Sequence, residues 1–162
     1  MDKKADKTNA MRLLDGKKIE YEAFEYSAEL TDGEAVAAAL GQDARAVFKT
    51  LVTVSDKGAH FVFCVPVCAT LDLKKAAKAA GAKSVAMLHQ RDLEPLTGYV
   101  HGGCSPVGMK KRFPTFIDDS AQNFERICVS AGRRGRQICL APDRLAAFVG
   151  AKFVPLAAQA GQ

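Results

Sequence analysis

The chain has 162 residues, 48% of them hydrophobic, enough for one continuous core in the size range of a single domain. Its formal charge of +5 favours anionic partners without the density of a packaging tail, and no run of about 20 apolar residues is present to cross a membrane. The five cysteines are an odd number with no export signal ahead of them, which predicts reduced thiols in a cytoplasmic protein rather than a disulfide framework.

In chain order, Lys7 to Leu14 carries apolar residues at helical spacing, with Gly16 placed to stop the helix. Ile19 to Tyr26 is rich in strand formers. It leads into Thr31-Asp-Gly-Glu34, where Thr31 and Glu34 have the spacing of a capping box for a helix over Ala35 to Leu40, ended by Gly41. Val47 to Val54 and His60 to Val67 read as an antiparallel hairpin around Ser55-Asp-Lys-Gly-Ala59. Leu71 to Ala80 is a helix closed by Gly81, Ser84 to Met87 a short strand, and Gln90 to Leu96 a short helix. Thr115 to Ile117, Ile127 to Ser130 and Ile138 to Leu140 are further strands, Pro142 opens a final helix, and Lys152 to Val154 adds a last strand. Strands and helices mix without regular βαβ alternation, which predicts one α+β domain over residues 1–162 around a mixed or partly closed sheet.

Alternation along the first hairpin strand gives Lys49 the same face as Val47 and Leu51. Its ammonium either snorkels to water or faces a cleft, where it can hold a phosphate or a ribose. His101-Gly-Gly-Cys-Ser-Pro-Val-Gly108 is the densest run of backbone-permissive residues, next to Lys110, Lys111 and Arg112, and reads as a loop that lets a ligand approach the main chain. Ser105 makes a poor nucleophile of the elbow type, because that geometry takes an oxyanion donor from the next backbone N–H and Pro106 has none. The histidines His60, His89 and His101 form no visible triad with it or with Cys104. Val129 to Arg136 ends a strand in a glycine turn bearing Arg133, Arg134 and Arg136, which either is solvated or grips RNA phosphates. Cys64, Cys68, His101 and Cys104 can be drawn as a zinc site, but neither pair has a knuckle spacing, so no metal or other cofactor is expected.

Val47-Phe-Lys-Thr-Leu51, Leu71-Asp-Leu-Lys-Lys75, Gly98 to Arg112 and Val129-Ser-Ala-Gly-Arg-Arg-Gly135 together resemble the YbaK family of bacterial trans-editing proteins, in order and spacing from about Thr8 to about Phe153. The resemblance implies the fold of the prolyl-tRNA synthetase editing domain, a mixed, barrel-like sheet surrounded by helices. It implies hydrolytic removal of cysteine from Cys-tRNA(Pro) in concert with prolyl-tRNA synthetase, with neither DNA nor a membrane as partner. It places Lys49, Gly102, Gly103 and Ser105 at catalytic positions, and Tyr26, Thr50, Cys104, Pro106, Gly108, Ser130 and Gln137 at substrate-binding ones. Lys110, Lys111, Arg112, Arg133 and Arg134 are the expected tRNA contacts, read from the two basic clusters.

Two departures bear on the choice of amino acid. The family usually has an aspartate where this chain has Gln137, and the loop after Tyr26 is shorter, with Leu30 the nearest apolar candidate for its aromatic residue. An aminoacyl ester is already activated, and cysteine's own thiol can attack its carbonyl to give a thiolactone, so positioning alone can drive the reaction. A deacylase for another small amino acid such as alanine, and a non-catalytic module that binds tRNA or the synthetase, are the competing expectations.

Overall fold

The structure is a computed structural model that describes residues 7–158, so residues 1–6 and 159–162 of the expected domain 1–162 lie outside the described residues. Helix α1 (Asn9–Gly16) starts where the Thr8 hydroxyl accepts from the Met11 N–H, and it buries Ala10, Met11 and Leu14. It outruns the expected stop: Gly16 lies in its last turn, and the chain reverses at Lys18, whose φ of 56° is left-handed. Strand β1 (Glu22–Glu25) then leads to α2 (Gly33–Ala39).

The cap of α2 differs from the expected capping box. Asp32, not Thr31, has the extended cap conformation and accepts from the Ala35 N–H at 3.1 Å. Gly33 is the first helical residue because any side chain there would run into Val67. Gly41 takes the left-handed conformation expected of it, with its N–H on Ala38 and the Gln42 N–H on Ala37.

Strands β2 (Phe48–Ser55) and β3 (His60–Pro66) form the expected hairpin, in the register Phe48 to Pro66 through Val54 to His60. Next come α3 (Leu73–Ala80), capped by Asp72 and closed by left-handed Gly81, then β4 (Val85–Met87) and α4 (Gln90–Thr97). A long loop leads to β5 (Thr115–Asp118). The chain ends in β6 (Ile127–Arg133), β7 (Arg136–Leu140), α5 (Pro142–Val149) and β8 (Lys152–Val154).

These strands make two sheets, one in the order β4-β2-β3-β5-β8 and one in the order β1-β7-β6. The larger is mixed, since β2 runs antiparallel to β3 and β4 while β3, β5 and β8 are mutually parallel neighbours. The sheets touch at the bridge from Val47 to Cys128, with the Cys128 N–H on the Ala46 carbonyl at 2.9 Å. The α+β class is as expected, but the strands do not close into a barrel.

Burial explains the layering. Phe48, Cys64 and Ile117 of the large sheet meet Ile127, Val129, Ile138 and Leu140 of the small one, and α1 and α5 seal the rim with Leu14 and Leu145. The opposite face of the large sheet packs Phe63, Val65 and Phe116 against Ala76 and Ala77 of α3. Each fully buried large side chain contributes roughly 1.5–3 kcal/mol relative to its exposed state.

One expectation fails outright. Cys128 and Cys139 are bonded as a disulfide, while Cys64, Cys68 and Cys104 are free thiols. An odd cysteine count carries no information about strand register, and here the register sets these two residues directly opposite on β6 and β7, with Cα atoms 4.0 Å apart. Thiol titration of the denatured, unreduced chain is therefore expected to find three reactive cysteines, and five after reduction; five without reductant would remove the bond.

Candidate functional site

A strand inside a sheet normally pairs on both edges, and β2 does not. Its start is bridged to β6 at Val47 and its end is paired with β4 from Thr53 to Ser55, so Phe48 to Leu51 have β3 on one side and no strand on the other. A cleft of about 430 Å³ opens along that edge, and every residue from Val47 to Leu51 lines it. The Val52 carbonyl accepts from the Leu88 N–H on this edge. Main-chain groups two residues apart point the same way, so the Thr50 N–H and carbonyl point into the cleft.

Lys49 is half-buried and lines the cleft. It makes no hydrogen bond or ion pair among the described residues, which leaves its ammonium available to an incoming anion or lone pair. Thr50 also lines the cleft, its hydroxyl 3.7 Å from the Cys64 sulfur. The opposite wall comes from the small sheet and the loop after β1: Tyr26, Leu30, Ser130 and Gln137. Burial raises the Tyr26 phenol above its ordinary pKa, so it is a neutral hydroxyl at physiological pH. The Ser130 hydroxyl accepts from the Gly132 N–H, which holds it at the start of the β6–β7 bulge.

The glycine-rich loop supplies the mouth, and it divides between two faces. His101, Gly102 and Cys104 line the cleft, whereas Pro106 and Gly108 line a separate groove with Lys111 and Arg112. Gly102 has φ of 86°, and a Cβ there would sit 3.2 Å from the Thr31 methyl, so glycine is what lets this loop close on the start of α2. Gly103 does not line the cleft. It packs flat on the β6–β7 turn, where a Cβ would come within 2.9 Å of the Arg134 nitrogen, and its own N–H is donated to the Val100 carbonyl. The Arg134 guanidinium donates to the His101 carbonyl at 2.8 Å and clamps the two loops together.

Four of the expected residues lie off the cleft. Ser105 is fully buried, with its hydroxyl accepting from the Val107 N–H, so it reaches no ligand. Gly103 is a packing glycine without a donor to offer, and Pro106 and Gly108 lie on the other face of the loop. Of the expected cations, Arg134 stands at the cleft's mouth, while Lys110 reaches the Pro95 carbonyl and Lys111 and Arg112 lie away from the cleft. Sequence reading also missed Asp32, which lines the cleft besides capping α2 and is its one carboxylate among the described residues.

No assembled nucleophile is present among the described residues. Burial pushes the Cys104 thiol up to about 12, so it stays protonated at neutral pH, and no hydrogen bond joins His101 to Cys104 or Ser105. The cleft offers a fixed ammonium, hydroxyls, inward-facing main-chain amides and an apolar wall of Val36, Val67 and Leu93. Such a set binds and orients an activated ester.

Comparison with known proteins agrees. A family model for the aminoacyl-tRNA editing domain matches residues 28–148. A protein of Enterococcus faecalis that carries the name of a Cys-tRNA(Pro)/Cys-tRNA(Cys) deacylase, EbsC, is 47% identical over 156 residues, covering 95% of both chains. A crystal structure titled as a trans-editing enzyme for prolyl-tRNA synthetase superposes with a TM-score of 0.82 at 24% identity, covering 94% of this chain and 99% of its own. A second crystal structure, of a hypothetical protein, superposes with a TM-score of 0.84 at 19% identity, covering 91% and 97%. At these identities the two structures speak for the fold.

Gln137 has a structural role that its lone position in the sequence hides. It is 2% exposed, and its amide is paired both ways with Gln42: Gln42 Nε2 donates at 2.7 Å and Gln137 Nε2 donates back at 3.0 Å. Gln137→Ala leaves the partner amide unmatched, and a loss of about 1–3 kcal/mol is expected in denaturant unfolding. The Gln42→Ala, Gln137→Ala pair together should lose less than the sum of the two single variants; strict additivity would show that the two amides act independently.

Proposed function

Because the chain belongs to the aminoacyl-tRNA editing domain family, we propose that it is a deacylase that removes cysteine from mischarged Cys-tRNA(Pro), acting in the cytoplasm beside prolyl-tRNA synthetase as a single domain. The observation that carries this reading is the unpaired Lys49 ammonium in a cleft with no assembled nucleophile. Lys49 holds the ribose and phosphate at the tRNA 3′ end, and Tyr26 offers its ring to the terminal adenine.

The ester carbonyl lies against the open edge of β2, where the Thr50 and Gly102 amides are the candidate donors to its oxygen. Asp32, the carboxylate of the cleft among the described residues, takes the substrate's α-ammonium. The cysteine thiol attacks its own carbonyl: a C–S bond forms, the ester C–O bond breaks, and the thiol proton passes to the departing ribose oxygen. Water then opens the thiolactone to free cysteine. The protein supplies proximity, for which the favourable range is roughly 7–11 kcal/mol, and oxyanion donors at about 3–4 kcal/mol for one well-aimed group.

The apolar wall of Val36, Val67 and Leu93 favours a small uncharged side chain. The Gln42 and Gln137 amides hold each other through two reciprocal hydrogen bonds, so the floor beside Ser130 presents a neutral amide and no carboxylate to a cationic side chain.

Turnover of Cys-, Ala- and Ser-charged tRNA(Pro) tests the reading. Cysteine is expected to leave fastest, Lys49→Ala to lower kcat/KM on the order of 100-fold or more, and Ser105→Ala to leave the cleft chemistry in place wherever the variant folds. Faster loss of alanine would move the assignment to a water-using deacylase, and no loss of any of the three would end the enzyme reading.

A further inference from the structure

The groove on the other face of the glycine-rich loop is a second site. It encloses about 670 Å³ and is lined by exposed Lys17, Lys111, Arg112 and Arg144, brought together from the end of α1, the long loop and α5. No carboxylate lines it among the described residues. Three other grooves each carry an acid among the described residues. The largest, about 890 Å³, sets Asp15, Glu20 and Glu25 against its cations, with Lys7 on Asp15 at 2.6 Å and Arg136 near Glu25 at 3.9 Å. The cleft holds Asp32, and the groove beside β4 holds Asp92. A surplus of four cations is therefore a property of this groove and not of the +5 chain at large.

Its construction is ordered. The Arg112 guanidinium donates to the Phe148 carbonyl in the last turn of α5, which fixes its direction. Gly108 has φ of 79°, and a Cβ there would come within 3.0 Å of both Leu13 and the Tyr99 hydroxyl, so this glycine lets α1 close one wall. Phe113 and Phe148 give the groove aromatic surface between the cations. Charges interleaved with aromatic faces suit a ribose-phosphate chain more than a compact anion.

We propose that this groove binds the phosphodiester backbone of the tRNA acceptor arm while the 3′ end occupies the cleft, an inference that rests on the deacylase reading for the identity of the RNA. Continuity argues for it. Cys104 lines the cleft and Pro106 lines the groove, so the two sites meet on one loop with only Ser105 between them, about 7 Å of chain at most. Lys17 and Arg144 are the residues newly drawn in, from elements far apart in sequence.

The test measures anisotropy of labelled uncharged tRNA(Pro), intact or lacking its terminal CCA, across a salt series. It compares the parent protein with K17A/R144A and with K57A/K83A, which removes the same charge outside the groove. K17A/R144A is expected to weaken binding of both RNAs about 10-fold and to lower the salt slope by roughly 2, with K57A/K83A near the parent. Cleavage of a cysteinyl adenosine ester, which fits the cleft alone, should be equal in all three proteins. Unchanged affinity and slope in K17A/R144A would overturn the proposal, as would an equal loss on the adenosine ester, or a loss confined to binding of polyglutamate, which would mark a protein partner instead. A parent that cleaves no ester defeats the deacylase reading, whereas the groove stands or falls on the RNA affinities.

Discussion

A backbone edge that finds no partner is the constraint around which this molecule is arranged. Buried main-chain N–H and C=O groups cost too much to leave unpaired, so a strand edge must be covered, wetted or given to a ligand. From Phe48 to Leu51 the β2 edge is left open because its neighbours on either side, β6 at Val47 and β4 at Thr53, diverge to different sheets. The surrounding loops, from Tyr26 to Thr31 and from His101 to Cys104, wall this gap without filling it. Lys49 then points where it does as a consequence of ordinary strand pairing, without local strain.

Much of this was legible in the sequence. The hairpin, α3, α5 and the short strands followed from alternation, glycine stops and an N-terminal proline, which are local signals. Lys49 and Gly102, singled out by strand alternation and a permissive backbone, line one cleft, and Arg134 of the arginine turn bonds the loop that carries Gly102. What escaped were matters of three-dimensional placement. Asp32 rather than Thr31 caps α2, and the first helical residue is a glycine that abuts Val67, a contact 34 residues away in sequence. Ser105 and Gly103 look exposed in a glycine-rich string, yet one is buried and the other is pressed onto a turn, so a permissive backbone marked close packing as well as ligand approach.

The same distinction separates binding from chemistry. The cleft carries one ammonium and one carboxylate, with amides and hydroxyls between them, and its cysteine stays protonated through burial. It is an orienting surface. The Gln42 and Gln137 pair orders part of it: two amides hold each other in place through reciprocal hydrogen bonds.

The sheet margins carry a consequence for self-association. The large sheet ends in β4 and β8, three residues each, and β1 at the margin of the small sheet begins and ends in exposed glutamates. Strands so short or so charged make poor templates for another chain. The long uncovered stretch of β2 lies instead at the bottom of a walled cleft, where a nucleotide end can enter and a second protein strand cannot lie flat. Catalytic access and resistance to edge-to-edge aggregation thus come from one arrangement.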